Sequence, residues 1–383
     1  MKVLLFANTE WYLYNFRRSL AFALRDAGHE VLLVSPPGPY GAKLQAMGFR
    51  WMAAPMERLS LNPWRELALI NWLRRLVRDE QIDLVHGFTI KCAVYGSLAA
   101  RAASRGPGVP ARVNAVAGMG YVFTSDDLKA RVLRPVVRTL LKLALGGKGA
   151  RLVLQNPDDV ALFEKARLVQ PEQIRLIPGS GVNCERFAPQ AESQKLSAGD
   201  GRMRVVLPAR MLWDKGLAEY VEAARLLRAQ GRDIVCLLAG DPDPGNPAAV
   251  PDATIRSWEA EGLVRWLGHV DDMPALFASV DVVALPSYRE GLPKGLIEAG
   301  ASGLPLITTD VPGCREVVTH EVDGLLVPVK DGQALAQAIA RLQDDLALRQ
   351  RLGVAARDKA LREYDERLIV SRTVDVYREL VKA

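Results

Sequence analysis

Short apolar runs alternate with longer segments whose apolar residues recur at spacings of three and four along nearly the whole chain. Lys2–Phe6 has the pattern of a strand, Phe16–Ala27 that of a helix, and Glu30–Ser35 is apolar again. Further strands are predicted at Asp83–His86, Ala111–Val116 and Arg151–Gln155. The rhythm then restarts, with strands predicted at Met203–Pro208, Asp233–Ala239, Val264–Leu267, Asp281–Leu285 and Leu304–Thr308. Strands separated by helix-length segments make a parallel sheet, because a parallel crossover needs a covering helix. Between the two series, 187–202 gathers Pro189, Gln190, Ser193, Gln194, Ser197, Gly199 and Gly201 and has the character of a linker. The prediction is an α/β chain of two doubly wound, Rossmann-like domains, 1–186 and 187–364. The helical pattern that closes the chain, 365–383, is expected to return to the first domain.

Composition narrows the class. At 49% hydrophobic and 25% charged residues, the 383-residue chain matches a folded globular protein and excludes disordered and fibrous classes. Met1-Lys2 runs straight into a strand with no signal-peptide pattern, and no apolar run is long enough to span a bilayer, so a cytoplasmic chain is expected. Cys92, Cys184, Cys236 and Cys314 are far apart with no C-x-x-C pair, and the four histidines are scattered, so neither a zinc site nor a disulfide framework is indicated. No metal and no cofactor are expected. The net charge of +6 is unevenly placed: residues 1–186 carry 26 Lys+Arg against 15 Asp+Glu, leaving 24 against 29 in the remainder. A basic first half is either a solvated face or a face for an anionic partner.

Ligands of open parallel sheets bind beyond the carboxyl ends of the strands, so the loops after the strands carry the candidate chemistry. No G-x-G-x-x-G follows Val3–Phe6, and Gly146-Gly147-Lys148-Gly149 lacks the spacing and hydroxyl of a P-loop, which excludes a simple dinucleotide dehydrogenase and a P-loop NTPase. The strongest signal is the segment from Ser287 to Ala299, where strand 281–285 runs through Glu290-Gly291-Leu292-Pro293 into a helix expected to begin near Leu292. The unpaired N–H groups and positive dipole end of such a helix suit a diphosphate. Glu290 at its mouth and Glu298 inside it are read as acceptors for hydroxyls on either side of that diphosphate, or else as an N-terminal dipole partner and an ordinary helix residue. Arg210 and Lys215, in the loop after 203–208, are two fixed cations able to neutralise charge on a departing diphosphate, or else solvated loop residues. Asp241-Pro242-Asp243 has the form of a metal-binding D-x-D but stands in Gly240-Asp241-Pro242-Asp243-Pro244-Gly245, whose residues are those of a turn.

Taken in series, these segments resemble the retaining glycosyltransferases of the GT-B fold, family 4. Glu290 and Glu298 embedded in E-G-x-P, Arg210 with Lys215-Gly216, Gly240-Asp241, Trp266-Leu267-Gly268-His269-Val270, Val311-Pro312-Gly313 with Glu316-Val317-Val318, and Asp323-Gly324-Leu325-Leu326-Val327 follow the family's order. The resemblance implies two Rossmann-like domains facing across a cleft and a UDP-sugar donor. It implies that Glu298 holds the ribose, Glu290 the donor-sugar hydroxyls, and Arg210 and Lys215 the diphosphate, with Gly291, Leu292 and Pro293 along the phosphates and Gly268, His269 and Val270 near the base. Tyr14-Asn15-Phe16-Arg17, Asp83-Leu84-Val85-His86 with Lys91, and Gly118-Met119-Gly120 resemble the bacterial members that extend polyprenyl-diphosphate-linked saccharides. By that resemblance Tyr14, Asn15, Arg17, His86, Lys91, Gly118 and Gly120 face the acceptor. Asn15 stands where that group often has a His, and Ala117 where it has a carboxylate. His86 is either an acid–base residue or a core histidine at a strand end.

The anionic partner of the first half is then a membrane surface bearing the acceptor. Arg131, Arg134, Arg138 and Lys142 fall on one face of a helix rich in Val and Leu, and Arg65, Arg74, Arg75 and Arg78 accompany Trp64, Trp72, Leu73 and Leu76. These are interfacial helices or helices covering the sheet with basic outer faces. Nucleic acid is not indicated, since no recognised binding motif and no aromatic-interleaved basic loop appears. The expected protein is a peripheral enzyme on the cytoplasmic face of the inner membrane; a transferase with a soluble acceptor and a non-catalytic sugar-nucleotide or lipid-binding protein are the other readings.

Overall fold

Strand side chains alternate between two faces, and in this chain both faces are apolar. Val3, Leu5 and Leu33 point into one core, while Leu4, Phe6, Leu32 and Val34 point into another. A strand buried on both sides must be central in a sheet covered by helices on both faces. The computed structural model describes residues 1–57, 60, 62–104, 108–116, 128–189 and 201–381, with backbone alone at 128–134, 136 and 137. The described residues form two units, those of 1–180 together with 367–381, and those of 181–366.

In the first unit, seven described strands pair in the parallel order β3-β2-β1-β4-β5-β6-β7: Lys2–Phe6 (β1), Glu30–Ser35 (β2), Arg50–Ala53 (β3), Leu84–Phe88 (β4), Ala111–Ala115 (β5), Ala150–Leu154 (β6) and Ile174–Leu176 (β7). In the second, six pair as β10-β9-β8-β11-β12-β13: Met203–Pro208 (β8), Ile234–Ala239 (β9), Arg265–Trp266 (β10), Val282–Leu285 (β11), Leu306–Thr309 (β12) and Gly324–Val327 (β13). In each sheet the strand order reverses once, beside β1 and beside β8, which is the doubly wound Rossmann topology. The crevice for a ligand lies beyond the carboxyl ends of the strands flanking that reversal.

Helices Arg18–Asp26 and Glu366–Val381 cover one face of the first sheet, through Leu20, Ala21 and Leu24 and through Ile369, Val376, Tyr377 and Leu380. Helices Pro63–Asp79 and Ile90–Ala103 cover the other. The unit boundary falls between Ser180 and Gly181, before the 186/187 position read from the sequence, because Val182, Cys184 and Phe187 are packed into the second core.

Other differences from the sequence reading have local causes. The helical region before β2 begins at Glu10, because Thr9 caps it by accepting from the Tyr12 N–H at 3.1 Å, and a π-turn over Leu13–Arg17 precedes Arg18–Asp26. The helix after β11 starts at Lys294 with Pro293 as its N-cap, two residues beyond the predicted start. The short edge strands β3 and β7 escaped the pattern because Arg50 and Arg175 interrupt their apolar runs. Leu73 and Leu76, read as part of an interfacial stripe, are buried against the sheet, and the exposed apolar residues of that helix are Trp64 and Leu67. Among the described residues no helix is long and apolar enough to cross a membrane.

Candidate active site

In the second unit the two strands flanking the reversal, β8 and β11, deliver the two candidate loops side by side. Val205 and Val206 pair with Val282 and Val283. The loop after β8 reaches Lys215 through a short 3-10 turn, Trp213–Lys215, and Gly216 then opens helix Leu217–Ala229. Its backbone is tied to the β11 loop, where the Tyr288 N–H donates to Asp214 O at 2.9 Å. As a result Lys215 Nζ lies 2.6 Å from Glu290 Oε1, with both side chains 14% exposed.

Glu290 is held from three sides. Ser287, fully buried, donates its hydroxyl to the same Oε1 at 2.6 Å, and the Glu290 N–H donates to Pro312 O at 3.1 Å. Gly313, at φ +85°, packs on the Glu290 carbonyl so closely that a Cβ there would clash. Ser287 is itself fixed, since Thr309 Oγ1 on β12 donates to its carbonyl. Helix Lys294–Ala301 follows, and its N-cap Pro293 makes no side-chain cap hydrogen bond, which places the positive dipole end of the helix at this loop. Glu298 sits one turn in, 3.4 Å from Lys294 Nζ. Burial raises the Glu298 pKa, and the Lys294 charge opposes that rise without cancelling it.

The third loop of this cluster follows β9. Gly240 donates to Gly268 O at 2.8 Å and Trp266 Nε1 donates to Gly240 O at 3.0 Å, so the segment Gly268–Val270 is fastened beside the β8 loop, whose Met211 N–H donates to Asp241 O. His269 Nδ1 stands 2.6 Å from Asp241. Burial works against its charge, but Asp241 and then Asp271 outweigh that effect and hold the imidazole pKa above its usual value. Arg210 Nη1 lies 2.5 Å from Asp243. Both carboxylates of the D-x-D tripeptide therefore face basic side chains of the protein.

The first unit gathers its candidates at the corresponding reversal beside β1. Tyr14, Asn15 and Arg17 follow β1, and His86 lies on β4. Tyr14 packs at a tilt on Tyr40, ring centres 5.1 Å apart, and Asn15 Nδ2 donates to Trp11 O at 3.1 Å. Arg17 and His86 are buried beneath that surface. The Arg17 guanidinium lies 4.3 Å from the Phe88 ring centre and donates to Tyr12 Oη at 2.9 Å. His86, 1% exposed, packs on Phe88 and lies 2.6 Å from Tyr377 Oη through Nδ1. Burial, and then the Arg17 charge, place its pKa well below the usual imidazole value, so it is neutral at pH 7. Lys91 points elsewhere: its three donors meet Glu57 O, Ser60 O and Glu66 Oε1 at 2.8–3.0 Å. These bonds fix the segment before helix Pro63–Asp79, beside a cavity of about 760 Å³ lined by Met56, Leu69 and Trp72. Gly118 and Gly120 lie outside the described residues, as do the side chains of Arg131 and Arg134. Arg138 and Lys142 are exposed on helix Leu128–Leu145, and Arg138 donates to Ala166 O at 2.7 Å.

Sequence reading gave no role to Ser287 or Tyr377, and read Asp243 as part of a D-x-D or a turn without its pairing to Arg210. Ser287 was legible as the S-x-x-E that places a hydroxyl beside Glu290. The other two pairings join distant segments and have no local signal.

Two doubly wound units, one of them bringing a Lys–Glu pair and an uncapped helix N-terminus to its strand-order reversal, define a glycosyltransferase of the GT-B class. The chain belongs to the group 1 glycosyltransferases: the family model described as "Glycosyl transferases group 1" matches residues 202–345, and the "Glycosyl transferase 4-like domain" matches 15–179. It is 30% identical to the N,N'-diacetylbacillosaminyl-diphospho-undecaprenol alpha-1,3-N-acetylgalactosaminyltransferase of Campylobacter jejuni, over 97% of this chain and 96% of that protein. It is 28% identical to the UDP-Gal:alpha-D-GlcNAc-diphosphoundecaprenol alpha-1,3-galactosyltransferase of Escherichia coli, over 81% and 78%. In fold it matches Anabaena HepE, crystallised with UDP and glucose, with a TM-score of 0.79 at 20% identity, covering 98% of this chain and 99% of that one.

Proposed function

We propose that this glycosyltransferase moves a hexose or N-acetylhexosamine from a UDP-sugar to a polyprenyl-diphosphate-linked saccharide in bacterial glycan assembly, with retention of anomeric configuration and without a metal ion. The observation that carries the donor half is the Lys215–Glu290 pair beside the uncapped N-terminus of helix Lys294–Ala301. The acceptor half rests on the 30% identity, over nearly the full length of both chains, to a transferase whose name specifies an undecaprenol-diphosphate-linked sugar.

In this reading the diphosphate of the donor lies at the helix N-terminus along Gly291, Leu292 and Pro293, where Lys215 and Arg210 neutralise it. Arg210 is exposed and exchanges Asp243 for phosphate. Glu298 accepts from the ribose hydroxyls, Glu290 from hydroxyls of the transferred sugar, and Gly268, His269 and Val270 lie along the base. The acceptor hydroxyl attacks the anomeric carbon on the face that the diphosphate leaves; the bond to the phosphate oxygen breaks, and UDP departs with the hydroxyl proton. No protein nucleophile is required, and the fixed cations stabilise the charge that develops on the leaving group. Asp241 and Asp243, each opposite a basic side chain, form a structural turn. The first unit holds the acceptor through Tyr14 and Asn15, with Arg17 and His86 as the buried support of that wall. The enzyme works from the cytoplasmic face of the inner membrane, where its acceptor resides. A panel of UDP-sugars assayed in EDTA, with the product linkage read by NMR, tests this reading: an α-linked product from an α-linked donor supports it, and a β-linked product or loss of activity in EDTA refutes it.

A further inference from the structure

The turn between helix Leu128–Leu145 and β6 carries positive charge that no described side chain answers. Arg112, on β5, is 4% exposed, and its Nε and Nη1 have no hydrogen-bond partner. Burial pushes its pKa down to about 10, and the like charge of Arg101 pushes in the same direction, so the group remains a cation at neutral pH. A guanidinium stripped of water and without a counter-ion is unfavourable, and buried polar groups left unpaired are rare enough to need a cause.

The surroundings point to the missing partner. Arg101, exposed on helix Ile90–Ala103, is fixed by donating Nη1 to Leu143 O at 2.6 Å. A Cβ built at Gly147 would lie 3.2 Å from Arg112 Nη2 and 4.0 Å from Arg101 Nη1, so both guanidiniums converge on one spot beside this residue. Gly147 has φ +99°, a left-handed conformation that favours glycine. The carbonyls of the turn are used inside the protein: Gly147 O accepts from Ala150 N at 3.0 Å and Gly149 O from Arg112 N at 2.9 Å. The N–H groups of Gly147, Lys148 and Gly149 donate to no backbone carbonyl among the described residues. Two guanidiniums, the exposed Lys148 and a turn presenting N–H groups are the donor set that tetrahedral oxyanions take.

We propose that Arg101, Arg112 and the turn 146–149 bind a phosphate-class oxyanion at a site separate from the candidate active site. The site stands at the start of β5 and β6, the sheet edge opposite to the one where Tyr14–Arg17 follow β1. The phosphate is either free or the headgroup of an anionic phospholipid, since Lys142 and Leu143 are exposed in the last turn of the preceding helix.

The test titrates inorganic phosphate into the full-length protein with UDP present at saturation, in chloride buffers of matched ionic strength. Wild type should bind one phosphate per chain. Arg101→Gln and Gly147→Ala should bind at least tenfold more weakly with UDP affinity unchanged. Arg112→Met should melt no lower than wild type in phosphate-free buffer and lose the rise in melting temperature that phosphate gives wild type. Sedimentation with phosphatidylglycerol vesicles then separates the sources: binding that phosphate competes and the variants lose assigns the headgroup, and vesicle binding unaffected by either assigns free phosphate. Absence of phosphate binding to wild type, equal binding by the variants, or an Arg112→Met protein that melts below wild type without phosphate would overturn the proposal.

Discussion

Lys215 Nζ lies 2.6 Å from Glu290 Oε1, and the buried Ser287 hydroxyl donates to that same carboxylate oxygen at the same distance. The cation is thus held by a carboxylate whose own geometry is locked by a serine, and in the proposed mechanism little reorganisation is needed when charge appears on a leaving diphosphate. In the proposed mechanism, replacing Lys215 with Ala removes a stabilisation specific to the transition state, and it leaves Glu290 without its counter-ion. The expected loss is about 10²–10³-fold in kcat at saturating donor, and Arg210→Ala should also fall by orders of magnitude. Near-normal turnover in either variant would remove that residue from the site.

Glu298 gives a pH dependence. Burial raises its pKa above 4.5, and in the proposed role as acceptor for the ribose hydroxyls the ionised form is the one that binds. UDP affinity should therefore fall as pH drops through a value above the ordinary carboxylate range, whereas Glu298→Gln should bind UDP weakly and without that dependence. Because the carboxyl binds its proton more tightly folded than unfolded, protonation of Glu298 adds stability as pH falls, so this group's titration weakens UDP binding without itself destabilising the fold. Calorimetric UDP titrations across pH measure this directly.

The His86–Tyr377 hydrogen bond, 2.6 Å long and buried, anchors helix Glu366–Val381 to the first sheet. Tyr377→Phe leaves the His86 Nδ1 without its partner in an apolar setting, which costs about 1–3 kcal/mol. The midpoint of urea unfolding should fall accordingly, while UDP affinity in the other unit stays unchanged. An unaltered midpoint would show that the helix is held by packing alone.

Much of this was legible in the sequence. Parallel strands buried on both faces read as continuous apolar runs, so β1, β2 and β8 were found at their observed bounds, and Lys215 and Glu290, singled out in the loops after β8 and β11, lie together. What escaped had no local pattern. Edge strands such as β7 are short and mixed in polarity, and the partners of His86, Arg210 and Lys91 come from segments far away in the chain. Lys91 shows the limit best: the family resemblance placed it toward the acceptor, yet the fold surrounds it with Glu57, Ser60 and Glu66.

Docking to an anionic membrane through helix Leu128–Leu145 makes a separate prediction. Arg138 and Lys142 are exposed there, beside the exposed Leu140 and Leu143. Replacing both basic residues with Glu should weaken binding to acidic vesicles and slow transfer to a long-chain acceptor, with transfer to a short soluble analogue nearly intact. Binding should also weaken as salt is raised, since the Debye length is only about 8–10 Å near physiological ionic strength. Equal losses on both acceptors would instead indicate a damaged fold or donor site.

The most direct test of the whole account is transfer itself. Purified protein is mixed in EDTA with a UDP-N-acetylhexosamine labelled in the sugar and with a polyprenyl-diphosphate-linked saccharide, and both the lipid fraction and UDP are followed. The account predicts that label enters the lipid fraction with one UDP released per sugar, and that UDP release nearly stops when the lipid acceptor is omitted. UDP released at the same rate without the lipid, or label transferred only to a soluble acceptor across the UDP-sugar panel, would contradict it.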